Sequence, residues 1–240
     1  MELEKFSEIF ADYLKEINIV LNEEQIEQFY KYMNLLIEWN EKINLTAITK
    51  PEEIILKHFV DSLTIAKHIK KEETLVDMGT GAGFPGIPLK IYEKDLKVTL
   101  VDSLNKRIKF LNEVIEQLNL EKIETIHARA EEFGKNKKYR EKFDISTSRA
   151  VANLSTLSEY LIPLVKVNGK VISMKGQEVQ EEVKQAQKAI QILGGKIVEK
   201  ESFNLPKSDN KRNIIIIEKI KNTPAKYPRK PGTPAKEPIQ

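Results

Sequence analysis

Apolar side chains recur at three- and four-residue steps over residues 2–17, where Leu3, Phe6, Ile9, Phe10, Tyr13, Leu14 and Ile17 share one face. That period predicts an amphipathic helix that needs a partner surface. A second helix is predicted from Asn22, whose side chain can cap it while Gln25 occupies the capping-box position. Its stripe carries Ile26, Phe29, Tyr30, Met33, Leu36, Ile37 and Trp39. Pro51 opens a third helical stretch with Ile54, Ile55, Phe59, Leu63 and Ile65.

After about residue 70 the pattern changes to short apolar runs separated by helical stripes. Strands are predicted at the run from Thr74 to Asp77 and over 97–102, 123–127, 143–148 and 169–175. Between them lie a stripe of Leu104, Ile108, Leu111, Ile115 and Leu118, a helical segment over 153–163, and a stripe from Val179 to Leu193 that Gly194 and Gly195 stop. Two further strands, 196–203 and 213–220, follow with no helix between them, and the four isoleucines Ile214 to Ile217 mark the last as buried on both faces. Alternation of strand and helix implies a parallel sheet covered on both sides, and the closing pair makes the final strand antiparallel. The expected fold is α/β: a doubly wound, mostly parallel seven-stranded sheet with an N-terminal helical layer. The expected division is a helical extension over 1–70, a sheet domain over 71–222 and a proline-rich tail over 223–240.

The stretch from Thr74 to Pro88 is the chemical centre. An apolar run ends in Asp77, glycines follow at 79, 81 and 83, and Pro85 and Pro88 open the next helix, with Pro85 expected in its first turn. Glycine can take positive φ and lets a ligand lie against bare backbone. The letters satisfy two templates. Gly81 to Gly86 matches the dinucleotide pattern G-x-G-x-x-G, whereas Asp77-x-Gly79-x-Gly81-x-Gly83 resembles the first motif of class I S-adenosylmethionine methyltransferases, in which the acid faces the cationic end of the cofactor. The terminal strand pair favours the second template, since two-fold dinucleotide domains usually continue with another crossover. Asp102, at the end of the next strand, is placed where an acid can take both hydroxyls of a ribose, and it can equally cap the helix that follows.

His58 and Asp61 fall on one face of the third helical stretch. With no nucleophile or third metal ligand nearby in sequence, they read as a hydrogen-bonded packing pair rather than acid–base machinery, and no metal is expected.

Composition narrows the classes. Hydrophobic residues make up 40% and charged residues 31% of the 240, which fits a folded, soluble chain. There are no cysteines, which excludes disulfides, cysteine–zinc sites and a thiol nucleophile. The first residues are acidic and form no apolar leader, and no apolar run reaches membrane length, so the expected location is cytoplasmic with no membrane partner. Net charge is only +3. Its distribution is uneven: residues 1–50 hold ten acids and five lysines, and residues 201–240 hold nine Lys or Arg and four acids. A basic face of this kind suits a polyanion.

Seven blocks then carry a family resemblance. They are Asn44 to Ile48, His58 to Leu63, Asp77 to Pro88, Val101-Asp102-Ser103, Arg129-Ala130-Glu131, Arg149-Ala150-Val151 and the tail Tyr227-Pro228-Arg229-Lys230-Pro231-Gly232. Together they resemble the ribosomal RNA small-subunit methyltransferase G family, also called the glucose-inhibited division protein B family. The resemblance implies S-adenosylmethionine as cofactor and 16S ribosomal RNA of the small subunit as partner, with methylation at N7 of one guanine (guanine 527 in the family). It places cofactor contacts on Gly79, Phe84, Ala130, Glu131 and Arg149, to which the ribose reasoning adds Asp102. A monomer is the default.

The residues that are missing agree with this chemistry. C5-pyrimidine methylation needs a cysteine nucleophile. Amine methyltransferases usually carry Asp/Asn-Pro-Pro-aromatic after the fourth strand, where this chain reads Ser148-Arg149-Ala150-Val151. Guanine N7 already holds a lone pair, so no catalytic base is named. RNA contacts are expected from Arg149 near the cofactor and from Arg229 and Lys230 in the tail, whose prolines argue against helix. Competing readings are an NAD-dependent oxidoreductase using Gly81 to Gly86 and a non-enzymatic ribosome-assembly factor.

Overall fold

The two N-terminal periodicities form α1, Leu3–Glu16, and α2, Glu23–Ile43, in a computed structural model that describes residues 1–149, 152–176 and 179–239. Asn22 caps α2: its side-chain oxygen accepts from the Gln25 N–H at 2.9 Å, and the Gln25 side-chain oxygen accepts from the Asn22 N–H at 2.9 Å. The third stretch departs from a regular helix. α3, Pro51–Ile54, widens into a π-helical segment, Ile55–Val60, before α4, Asp61–Leu63. Such segments shift side chains out of the 3.6-residue register and concentrate at functional sites.

One sheet follows, built from β1 (Thr74–Met78), β2 (Lys97–Asp102), β3 (Ile123–His127), β4 (Phe143–Arg149), β5 (Val165–Lys175), β6 (Gly195–Asn204) and β7 (Lys211–Lys219). The order is β3-β2-β1-β4-β5-β7-β6, with β7 antiparallel to both neighbours and the other pairs parallel. The remaining helices are α5 (Gly86–Tyr92), α6 (Asn105–Gln117), α7 (Ala130–Lys135), α8 (Leu154–Leu161), α9 (Gln180–Leu193) and α10 (Thr233–Lys236). The seven-stranded, mostly parallel α/β sheet expected from the pattern is therefore present. The crossover through α9 leaves a gap beside β5, and the chain turns back through a hairpin to fill it with β7.

That central position explains the isoleucine run. Ile214 and Ile216 pack with Phe6, Phe29, Phe59, Leu75 and Leu100 on one face, while Ile215 and Ile217 pack with Val76, Val101, Leu157 and Ile190 on the other. Four consecutive apolar residues are needed because both faces are covered. The N-terminal helices thus share a core with one face of the sheet. The strand order reverses between β1 and β4, so the loops leaving their carboxyl ends diverge and open a crevice.

The tail differs from its expectation of no regular helix. Residues 233–236 form the single turn of α10, and Pro234 is tolerated because the first turn of a helix leaves its N–H groups unpaired. Among the described residues no helix is long and apolar enough to cross a membrane. Ala150 and Val151, part of one sequence block above, lie outside the described residues.

Candidate functional site

The glycine turn leaves β1 with Gly79, Gly81 and Gly83 at φ of 68°, 63° and 99°. Positive φ at three alternate positions coils the backbone tightly, and the Gly79 and Thr80 N–H groups both donate to the Val101 carbonyl, at 2.8 and 3.1 Å, which ties the turn to β2. Pro85 precedes α5 as its cap residue rather than entering the first turn, one position earlier than expected. Tyr32, from α2, donates its hydroxyl to the Ala82 carbonyl, so the N-terminal helices brace the turn from behind.

Asp77 sits beneath the turn and is fully buried. Its Oδ2 accepts from the Thr80 hydroxyl at 2.6 Å and the Gly86 N–H at 2.9 Å, while Oδ1 has no partner among the described residues. Burial pushes its pKa up to about 6, against the pull of Thr80, Gly86 and Arg149. A buried carboxylate with one bare oxygen is costly unless a donor or cation completes it. The residues present therefore fit a ligand with a cationic group at this turn.

A cavity of about 290 Å³ opens at the carboxyl ends of β1, β2 and β3, lined by Gly79, Asp102, Ala130, Glu131, Tyr160 and Gly232 among others. Asp102 does more than line it. Its Oδ2 accepts from the Gly81 N–H at 2.9 Å, Oδ1 accepts from the Leu104 N–H at 2.9 Å, and Arg107 Nη1 lies 3.1 Å from Oδ2. Arg107 Nη1 also reaches Oδ1 at 3.5 Å, so both oxygens of the carboxylate are bonded. Arg107, on α6, turns back onto Asp102. Glu131 accepts from the Gly232 N–H at 2.8 Å, and the adjacent Tyr160 hydroxyl is pushed up to about 12 by burial and by Glu131 and Glu159.

Phe84 and Arg149 belong to a second cluster beside the turn. Arg149, at the end of β4, donates from Nη1 to the Lys57 carbonyl at 3.0 Å and to Asp61 Oδ2 at 3.2 Å, and from Nη2 to His58 Nδ1 at 2.9 Å. Arg212 holds the other Asp61 oxygen at 3.0 Å. Burial drives the His58 pKa down to about 3, with Arg149 adding to the effect. The ring is therefore neutral. Nδ1 accepts from Arg149, so Nε2 carries the proton and donates to Thr46 Oγ1 at 2.9 Å. His58 and Asp61 are expected to pair with each other; in the structure both bond Arg149 instead.

The expected site residues thus fall into two adjoining groups: Gly79, Asp102, Ala130 and Glu131 around the cavity, and Phe84 with Arg149 against the π segment. The expected RNA contacts are placed differently. Arg149 is drawn inward, and Arg229 is bound to Glu159 through Nη2 at 2.7 Å and Nε at 3.0 Å; Lys230 is exposed. Elsewhere, His68, Glu199 and Glu201 bring possible metal-ligand atoms within 4.8 Å of one another, but Lys67 already shares the Glu201 carboxylate at 2.6 Å. Sequence reasoning missed Glu159, Tyr160 and Arg212. Glu159 left a signal, an acid inside the apolar stripe of Leu154, Leu157 and Leu161; Arg212 left none.

A family profile described as rRNA small subunit methyltransferase G matches residues 25–215. A ribosomal RNA small subunit methyltransferase G from Acetivibrio thermocellus is 59% identical over 220 residues, covering 91% of this chain and 90% of that one. Its counterpart from Alkaliphilus metalliredigens is 51% identical over 234 residues, covering 97% and 98%. Among solved structures, an S-adenosylmethionine-dependent O-methyltransferase from Thermotoga maritima is similar with a TM-score of 0.53 over 78% of this chain and 72% of that one, at 16% identity, which is a likeness of fold.

Proposed function

The chain belongs to the rRNA small subunit methyltransferase G family, and on that premise we propose that it methylates N7 of one guanine in 16S ribosomal RNA. The family makes it an S-adenosylmethionine-dependent methyltransferase of small-subunit ribosomal RNA. The choice of guanine N7, of a cytoplasmic monomer, and of the residues that serve each role is our reading. The placement of the cofactor rests chiefly on the half-satisfied Asp77 beneath a glycine turn that opens on the cavity at the strand ends, and the choice of N7 on the family resemblance and on the missing cysteine and amine-methyltransferase motif.

In this reading Gly79, Asp102, Ala130 and Glu131 hold the nucleoside part of the cofactor. Asp77 balances the cationic end. Phe84 and Arg149 shape the neighbouring wall, with Arg149 fixed by Lys57, His58 and Asp61 rather than free to move.

S-adenosylmethionine supplies an electrophilic methyl group, and guanine N7 supplies the electron pair. No proton has to leave before the bond forms, so the site needs no base, and His58, though neutral, has its Nδ1 committed to Arg149. Rigid alignment of two reactants can be worth roughly 7–11 kcal/mol of a barrier. The braced turn and the Arg149 network are suited to supply that alignment. Exposed Lys230 is retained as a phosphate contact, and Arg149 and Arg229 are reassigned to structural roles.

The deciding experiment is methyl transfer from labelled S-adenosylmethionine to small ribosomal subunits and to extracted RNA from cells lacking the enzyme, with cleavage mapping of N7-methylguanine. One labelled guanine, lost with Gly79→Asp, is expected. Label on another base or atom would overturn the N7 assignment.

A further inference from the structure

The carboxy-terminal segment is built into the wall of the cavity. Gly232 and Ala235 line it alongside Asp102, Glu131 and Tyr160. Three sets of bonds hold the segment there. Arg140 donates from Nη1 to the Tyr227 carbonyl at 2.7 Å and from Nη2 to the Thr223 carbonyl at 2.8 Å. Arg229 meets Glu159 through Nη2 at 2.7 Å and Nε at 3.0 Å, and its backbone N–H adds a third bond to the same carboxylate at 2.7 Å. Further along, the Gly232 N–H donates to Glu131 Oε1 at 2.8 Å and the Thr156 hydroxyl donates to the Pro234 carbonyl at 2.9 Å.

The Glu159 side chain is 1% exposed, whereas that of Arg229 is 26% exposed. Diverting Arg229 to a phosphate would leave a buried carboxylate without its cation, which opposes release of the strap. The clamp therefore works inward, toward the cavity, and not outward toward RNA.

We propose that residues 229–235 are part of the cofactor-binding site: the strap supplies one wall of the cavity, Arg229 and Glu159 position it, and Glu131 serves both the strap and the ligand. This rests on the reading that S-adenosylmethionine occupies this cavity. A ligand that touches the docked strap binds only the docked state, so its apparent affinity scales with the docked fraction. Reciprocally, the ligand strengthens docking by the same factor.

Hydrogen exchange of the full chain with and without S-adenosylhomocysteine separates this proposal from the reading beneath it. Protection over residues 79–84, 128–132 and 226–236 together is expected. Protection of the first two segments without the third would overturn the strap while leaving the cavity assignment intact. No protection at the first two would remove the cavity assignment and the strap with it. Arg229→Ala is expected to raise Kd for S-adenosylhomocysteine and KM for S-adenosylmethionine about tenfold, a larger change than in kcat at saturating cofactor. Arg229→Lys should recover part of the loss. Should Arg229→Ala fail to fold, Ala235→Leu tests the same wall without touching the clamp, and it too is expected to weaken cofactor binding. Cofactor Kd and KM within about twofold of the parent protein in the folded variants would overturn the proposal.

Discussion

His58 lies flat against Phe84, with ring centroids 4.4 Å apart and planes 16° from parallel, and the Arg149 guanidinium faces the same Phe84 ring from 4.9 Å. The stack joins the π segment, the glycine turn and the end of β4 at one point. It couples elements that are far apart in the chain.

Removing Arg149 would leave Asp61 with Arg212 as its one cation and His58 Nδ1 without its donor. Breaking a buried pair typically costs about 3–5 kcal/mol. Arg149→Ala is expected to lose stability of that order in denaturant unfolding and to lose methyl transfer. Arg149→Lys, which keeps the charge but not the planar fork, should fall between. A parent-like unfolding midpoint for the alanine variant would dismiss the network as a stabilising feature.

His58 gives a pH dependence of definite sign. Its pKa is about 3 in the folded protein, against an ordinary 6.5, because burial and Arg149 disfavour the charged ring. The unfolded chain therefore binds the extra proton first. Stability should fall as pH drops below 6.5 toward 3, by at most about 1.4 kcal/mol per pH unit from this group. His58→Gln, unfolded with denaturant at pH 7, 6 and 5, should show a flatter slope than the parent protein; equal slopes would contradict the buried neutral ring.

Asp77 titrates with the opposite sign. Its folded pKa is raised to about 6, so ionisation of this group costs stability as pH rises from about 4 to about 6. A cationic ligand beside it favours the carboxylate, and S-adenosylmethionine should bind more tightly as pH rises through that range. Calorimetric titration at pH 5, 6 and 7 is expected to show this, and Asp77→Asn to abolish most of the trend. A pH-independent Kd in the parent protein would separate Asp77 from the cofactor.

Two glycines of the turn should respond differently to alanine. A Cβ on Gly83 would lie 2.5 Å from Ile87 Cδ1 and 2.6 Å from the Tyr32 hydroxyl, whereas nothing lies within 4 Å of one on Gly81. Both have positive φ, which costs roughly 1–2 kcal/mol for a residue with a Cβ, and overpacking adds about 1–3 kcal/mol at Gly83 alone. Thermal melts should rank Gly83→Ala well below Gly81→Ala. The reverse order would mean that the turn is not braced by α2.

Lys230 and Arg229 are neighbours with different expected effects. Lys230→Gln should weaken RNA binding across sequences and reduce the slope of log affinity against log salt by about one. Cofactor affinity should change less than it does in Arg229→Ala. If the salt slope is unaltered, Lys230 makes no phosphate contact.

Much of the architecture was readable because its causes are local and repetitive. The 3.6-residue stripes of Phe6 and Phe10 or of Phe29, Met33 and Leu36, the capping box at Asn22, and the unbroken run from Ile214 to Ile217 each record which faces must be buried. The glycine turn was readable for a related reason: Gly79, Gly81 and Gly83 reflect backbone conformations that other residues adopt at a cost. The π-helical step was not readable, since a one-residue widening leaves the apolar pattern of Ile54, Ile55 and Phe59 almost unchanged, and neither was the bonding of His58 and Asp61 to Arg149.

The tail shows where local patterning ends. Its basic and proline-rich letters suggested an exposed segment that follows phosphates, because charge is legible in a sequence and the partner of a charge is not. Glu159 stands 70 residues before Arg229, and Glu131 stands 101 residues before Gly232. Chain order therefore carries the strands, their helices and the cofactor turn, whose periods and backbone demands lie within a few residues. Which buried carboxylate claims which cation follows from packing, since the cost of leaving either one alone arises only after the sheet and its helices have excluded water.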